Sequence, residues 1–434
     1  MDPFRAYAKH VNPALGRFLE LTGRGTRFVR AEGASIEDED GTAYDDFLAG
    51  FGSLNLGHNP PRIKAAIVEH LRGDAPSIFH ECLNPFAGAL AEKLVAATNG
   101  AFETAFLCNS GAEAVECALK TAIAVTGKSK IAYAEGGYHG TTLGALACMA
   151  KGLYREPFEA VLNKHIEIPF GDLEALEQAL AKRDIAAFLL EPLQMEGGAR
   201  LASPDYLRSA SELCRANGAL LLLDEVQTGI GRTGALFAYE RLGTVPDMLM
   251  IAKSLGAGIV PIGATLMRKD LWEAAFGSYL RSEIHNSTLG GNALACRTAE
   301  AVLDEILAPG FLESVRARGD ALFAALKQAI GKSPMVRRIS HLGMLGGIAL
   351  ADVAHPWLTW EGMGLSELSG YPSSGPLVVE RLFRRRILAQ VCGHAWSVVR
   401  VEPPLIVSDE ACARFVDAFA DAIQWLEENA GEER

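Results

Sequence analysis

With 434 residues, 49% of them apolar and 22% charged, the chain can build two or three units with large cores and has the balance of a globular enzyme. Its net charge of -12 argues against nucleic acid as a partner, because phosphate binding needs basic stripes. No stretch reaches the ~18 apolar residues of a membrane span, and eight scattered cysteines without a C-x-x-C pair fit reduced thiols rather than a disulfide frame or a zinc site. The N-terminus is mixed and charged, neither signal peptide nor anchor, so a cytoplasmic protein without metal is expected.

Residues 1–45 read as an arm. A short amphipathic helix over "ALGRFLEL" leads into "FVRAEGASIEDEDGTAYDDF", whose alternation and Glu-Asp-Gly turn predict a hairpin. From 46 to 295 helix and strand patterns alternate. "NPFAGALAEKLVAAT" and "GAEAVECALKTAIAVTG" have helical spacing, and "TAFLCN" reads as a short strand. "KIAYAE", "AAFLLEP", "ALLLLDE" and "DMLMIAK" are short apolar runs of the kind buried on both faces of a mostly parallel sheet. This is an α/β unit large enough to hold a ligand site.

From 296 to 434 the pattern changes. Long helices over "CRTAEAVLDEIL" and "VRARGDALFAALKQAI" precede strands over "GMLGGIAL" and "SVVRVEPPL", and a helix closes the chain. That predicts a smaller α+β domain, to which the arm contributes. Residues 353–376, rich in Gly, Pro, Ser and Trp, read as a long loop: either an apolar substrate wall carrying Trp357, Trp360 and Tyr371, or a plain surface insertion. The basic "RLFRRR" at 381–386 reads as a solvated helix face.

"LLLLDEVQTGIGRTG" (220–234) contains a Gly-x-Gly-x-x-Gly string, but five residues, two of them acids, separate the strand from its first glycine. A dinucleotide loop starts at the strand end, and an acid there repels pyrophosphate. The glycines are expected to shape a tight loop beside a ligand. Asp224 ends one buried strand and Lys253 ends the next. A buried lysine facing a buried acid is costly unless chemistry needs both. Pyridoxal phosphate does, although a structural ion pair would read the same way. "CNSGAEAVE" puts Ser110, Gly111 and Ala112 at a helix mouth, either as a phosphate cradle or as an ordinary N-cap. "GGYHG" offers Tyr138 either for stacking on a flat ring or for packing.

Seven segments in order ("NSGAEA", "YHG", "EPLQMEGG", "LLDEVQTGIGRTG", "AKSLGAGIVPIGA", "HNSTLGGN" and "VRVEPPL") resemble the class III aminotransferases, pyridoxal-phosphate enzymes of fold type I, over essentially the whole chain. "FGSLNLGHNPP" and "FLCNSGAEAVECALK" are most similar to the putrescine aminotransferase branch. The resemblance implies that Lys253 carries the cofactor covalently and shuttles a proton between substrate Cα and cofactor C4′. Asp224 would keep the ring nitrogen protonated, Gln227 would bond the phenolic oxygen, and Tyr138 would stack on the ring. Ser110, Gly111 and Ala112 would hold the phosphate, His139 and Glu191 would complete the cofactor site, and Thr288 would reach the phosphate of a partner subunit in a homodimer. Glu196 would pair with Arg400, which otherwise clamps an α-carboxylate.

Three positions depart from the ornithine-type pattern. Phe51 stands for a tyrosine, Thr141 for an arginine that takes a distal carboxylate, and Met195 for a glycine, which would narrow the site. The expected activity is transfer of an amino group between a primary amine, an ω-amine or diamine such as putrescine, and an oxo acid or aldehyde. A long-chain or carrier-tethered aldehyde as acceptor is a second reading, and an aminomutase or racemase on the same fold a third. A protein kept only for binding would lack turnover despite Lys253, Asp224 and Gln227.

Overall fold

The computed structural model describes residues 2–21, 25–79, 82–353 and 355–430. Seven strands form the central sheet, in the order Thr104–Cys108, Gly263–Met267, Met248–Ile251, Leu220–Asp224, Ile185–Leu190, Lys130–Ala134, Ile166–Ile168. All neighbours are parallel except Gly263–Met267, which runs antiparallel to both of its own. The mixed but mostly parallel sheet of a fold-type I enzyme is therefore present. The four-leucine run of residues 220–223 has a physical reason: Leu221, Leu222 and Leu223 are wholly inaccessible, with helices on both faces of the sheet.

Between the first strand and Lys130–Ala134 runs the helix Gly111–Thr126. Ala114, Val115, Cys117 and Ala118 are its buried face, and Gly127, at φ +67, ends it in the left-handed conformation that glycine adopts at least cost.

The N-terminal hairpin is larger than expected. Phe28–Glu32, Ser35–Asp38 and Ala43–Asp46 form an antiparallel meander, and Ile387–Leu388 adds a fourth strand parallel to Ala43–Asp46. The arm is thus sewn to the C-terminal third of the chain. Arg414 reinforces the seam with a two-pronged pair to Asp45, at 2.8 Å on each prong, and Phe47 stacks on Phe415 with centroids 4.0 Å apart.

A third sheet joins Val336–Leu342, Leu345–Leu350, Ala395–Val401 and Val391–Cys392. The helices Phe311–Ile330 and Asp409–Ala430 belong to the same core as these strands and the central sheet. The basic run ends the helix Ser374–Arg384, where Arg381 lies over the Trp425 ring and both Arg381 and Arg385 pair with Asp421. Among the described residues no helix is long and apolar enough to cross a membrane.

Candidate active site

Two neighbouring strand ends set the site. Asp224 closes Leu220–Asp224 in register with Met250, and Lys253 follows the end of Met248–Ile251, so the two leave the sheet side by side. Lys253 has φ +47, a left-handed conformation that a lysine holds only where its surroundings force it. Burial lowers the pKa of its ammonium, with Glu402, Glu196 and Asp224 pulling the other way.

Asp224 is buried, and both of its oxygens are engaged. Oδ2 lies 2.7 Å from His139 Nδ1, and Oδ1 accepts the Val226 backbone N–H at 3.0 Å. A carboxylate can only accept, so Nδ1 carries the histidine proton. His139 Nε2 is buried without a partner. Nearby, Glu191 accepts the backbone N–H of Tyr138 at 2.9 Å. Burial pushes the Glu191 carboxyl well above the ordinary range, and Asp224 adds to the push.

Two cavities meet at Lys253. The polar one, of about 320 Å³, is lined by Asn109, Ser110, Gly111, Lys253 and the turn at 258–262. Ser110 caps the following helix by accepting the Glu113 N–H at 3.1 Å, which leaves its hydroxyl proton free to donate. The N–H groups of Gly111 and Ala112 open the helix, where no carbonyl of the preceding turn can take them. Gly111 is glycine for a reason: a Cβ there would stand 2.8 Å from Val226 Cγ1. A positive helix mouth, a hydroxyl, an amine of lowered pKa and a buried carboxylate fit a phosphorylated heterocyclic aldehyde with a protonated ring nitrogen. The side chains present are therefore those that pyridoxal phosphate requires.

The second cavity, of about 750 Å³, has Phe51, Tyr138, Tyr154, Glu196 and Lys253 among its lining. Glu196 Oε2 lies 2.5 Å from Arg400 Nη2 and accepts the Gly393 N–H at 2.6 Å. Burial works to raise the Glu196 pKa, but the guanidinium and this N–H outweigh it, and the carboxyl stays below its ordinary value. Arg400 is wholly buried, and the ring of Phe51 lies 4.8 Å beneath its guanidinium carbon. The hydroxyl missing at Phe51 is thus replaced by an aromatic face turned to a cation.

Sequence reasoning missed Glu402. It is fully buried, lies 3.4 Å from Arg400 Nη1 and accepts Gln227 Nε2 at 2.7 Å. Strand alternation was the available signal, since residues 400 and 402 share a face at the end of Ala395–Val401. Gln227 accordingly has its amide N–H₂ committed to Glu402. Tyr154 was missed as well; it meets Tyr138 edge-on with centroids 5.9 Å apart.

The remaining positions lie outside the two cavities. Met195 is buried against Cys392 and lines neither cavity, so it does not narrow the site. Gly231 and Gly234 lie against Ile306 and Arg316 and shape a loop beneath two helices rather than beside a ligand. Glu225 turns away from the site to accept the N–H groups of Ala238 and Tyr239. Thr288 is exposed and lines a separate recess with Phe79, Asn84 and Ser287. Thr141 is exposed and lines neither cavity at Lys253.

Comparison with known proteins agrees with this geometry. The family model for aminotransferase class-III matches residues 24–423. A curated relative, Aminotransferase PigE from a Serratia species, is 37% identical over 450 aligned positions, which cover 96% of this chain and 53% of the relative. The chain thus spans about half the length of that relative. Among solved structures, ornithine aminotransferase from Toxoplasma gondii has a TM-score of 0.84 at 29% identity, covering 98% of this chain and 95% of its own. An amine transaminase from an uncultivated Pseudomonas species, solved in its PLP-bound form, has a TM-score of 0.82 at 25% identity, covering 94% and 95%.

Proposed function

The chain belongs to the class III aminotransferases, and on that premise we propose that it moves an amino group between a primary amine and an oxo acid or aldehyde. Amine and oxo acid go in; aldehyde and amino acid come out. The observation that carries this reading is Lys253 at the junction of two cavities, one built for a phosphate and one for a substrate, beside the buried Asp224. When bound, pyridoxal phosphate supplies an aldehyde to receive the amino group and a ring that accepts the electrons left as the substrate's Cα–H bond breaks.

The protein's part is binding, orientation and proton handling. Ser110 and the N–H groups of Gly111 and Ala112 would hold the phosphate, and Tyr138 would stack on the ring. Asp224 would keep the ring nitrogen protonated, and His139 holds Asp224 by the 2.7 Å contact. Lys253 would hold the cofactor covalently at rest, and its amine, its pKa lowered by burial, would serve as the base that moves the Cα proton. Gln227, fixed by Glu402, would hold the phenolic oxygen of the ring. Glu191, its carboxyl pKa pushed upward by burial, fixes the Tyr138 backbone.

Arg400 is the cation for an α-carboxylate. With Glu196 in place its charge already has a partner, so an amine without a carboxylate need not supply one. When an oxo acid enters, Glu196 swings aside and the guanidinium takes the carboxylate. The active unit is a homodimer in which Thr288 reaches the partner's phosphate.

The test is a pair of half-reactions. The cofactor-loaded enzyme is mixed with a primary amine, and loss of the visible band of the lysine-bound cofactor is followed; an oxo acid should then restore the band. Lys253→Ala should do neither. Full turnover by that variant would overturn the mechanism.

A further inference from the structure

The larger cavity reaches far beyond what a short diamine or a small oxo acid needs. Its 750 Å³ is the size of pockets that enclose drug-sized ligands, and Lys253 and Glu196 are among its lining. Trp360, Met363, Leu365, Leu377, Val391 and Trp396 supply its walls. Part of this wall comes from residues 353–376.

That segment is folded into place rather than draped over the surface. The Trp360 indole N–H donates to the Tyr371 carbonyl at 2.6 Å, and Ser373 Oγ donates to the Leu358 carbonyl at 2.7 Å. Tyr371 stacks on Trp396 with centroids 4.4 Å apart, and Trp360 meets Trp396 edge-on at 6.0 Å. Trp360 is only 7% exposed. With its one donor satisfied by backbone, the indole offers the cavity an apolar surface. Charge returns at the rim, where Arg384 donates to Glu380 at 3.0 Å.

We propose that this annex binds the chain of the amino-group substrate, and that the enzyme is specific for primary amines, and the corresponding aldehydes, that carry an unbranched apolar tail. The inference rests on the aminotransferase reading above and adds the substrate class. A second ammonium, as in a short diamine, would lose hydration against this apolar wall, whose carboxylates are already engaged, Glu196 by Arg400 and Glu380 by Arg384. An alkyl tail gains from the same wall with every methylene it buries.

The cofactor-loaded enzyme is tested in the amine half-reaction with n-alkylamines from propylamine to dodecylamine, and with putrescine. The apparent second-order rate constant should rise about two- to fourfold per methylene until the chain reaches the charged rim, and then level off. Putrescine should react more slowly than n-octylamine. Met363→Gln, a change at a partly exposed wall position, should reduce the octylamine-to-propylamine ratio several-fold. Trp360→Ala should reduce it further.

A flat series with active short amines, or a preference for putrescine, overturns this inference and leaves the aminotransferase reading standing. Failure to react with any amine, while amino acids also leave the cofactor band unchanged, overturns both. The wild-type series needs no variant to fold.

Discussion

Arg400 is held between two carboxylates, the half-buried Glu196 and the fully buried Glu402, and the one that sequence reasoning missed, Glu402, lies 3.4 Å away on the same face of the strand end. Should Glu196 swing aside for a substrate carboxylate, Glu402 stays and continues to neutralise the guanidinium. The site is thereby biased toward amines that lack a carboxylate. Glu402→Gln keeps the shape and an oxygen for Gln227 Nε2, and it leaves Arg400 with Glu196 alone. The KM for an α-oxo acid should fall roughly three- to tenfold, on the order of 1 kcal/mol. Steady-state kinetics with pyruvate read it directly; an unchanged or raised KM means that Glu402 does not compete with the substrate.

Asp224 and His139 form a second buried pair, with 2.7 Å between Oδ2 and Nδ1. If the carboxylate sustains a protonated ring nitrogen, Asp224→Ala should slow the half-reaction on the order of a hundred- to a thousandfold, the usual worth of one such electrostatic contact. Asp224→Asn keeps the size and loses the charge, so it should be nearly as slow. A variant that melts lower but turns over normally would mark the pair as structural.

The buried parallel strands were legible because full burial leaves an unbroken apolar run, as at Leu221 to Leu223. Gly263–Met267 carried no such mark. It holds a glycine and a threonine in five residues, and its burial comes from being flanked on both sides rather than from its own composition. The strand Ile387–Leu388 is only two residues long, and its partner is more than 340 positions away, beyond the reach of any local pattern. At the site, Lys253 and Asp224 could be read from their places at strand ends. The Glu196–Arg400 pair could not, because 204 positions separate two ordinary-looking charges, and only the family resemblance brought them together. The acids at 224 and 225 show the limit of reading motifs: neighbours in sequence, they point to different tasks.

Glu225 provides a pH signature. Burial pushes its carboxyl up to about 7, against the lowering pull of the Ala238 and Tyr239 N–H groups and the Thr228 hydroxyl. In the unfolded chain it titrates near the ordinary glutamate value. Between these two pKa values the folded state keeps a proton that the unfolded state gives up, so stability is fully present below the lower value. It is lost progressively as pH rises through the upper one. At about 1.4 kcal/mol per pKa unit the window is worth a few kcal/mol. Glu225→Gln cannot titrate, and its amide opposes N–H donors, so it should melt lower than wild type at pH 5. Its further loss between pH 5 and pH 8 should be the smaller of the two. Thermal melts of both proteins at the two pH values check this, and equal losses would show that Glu225 is ionised throughout.

The last prediction separates the two kinds of substrate. Arg400 is wholly buried, and Thr141, where the ornithine-type pattern has a second arginine, is exposed and lines neither cavity at Lys253. A charge-assisted pair to a carboxylate is worth roughly 1.5–3 kcal/mol. Arg400→Ala should therefore slow the half-reaction with α-amino or α-oxo acids by about ten- to a hundredfold or more. Alkylamines make no contact with the guanidinium and should lose far less, although Glu196 and Glu402 are left without their cation. Arg400→Lys should restore part of the oxo-acid rate but not all of it, because an ammonium cannot reproduce the two-pronged geometry. Wild-type enzyme should also discriminate weakly between pyruvate and 2-oxoglutarate, since Thr141 offers no charge to a second carboxylate. Single-turnover rates on the three proteins decide the matter. Equal losses for amines and acids would make Arg400 a structural residue, and a strong wild-type preference for 2-oxoglutarate would mean that a second cation takes part, for which Arg384 in the cavity lining is the candidate.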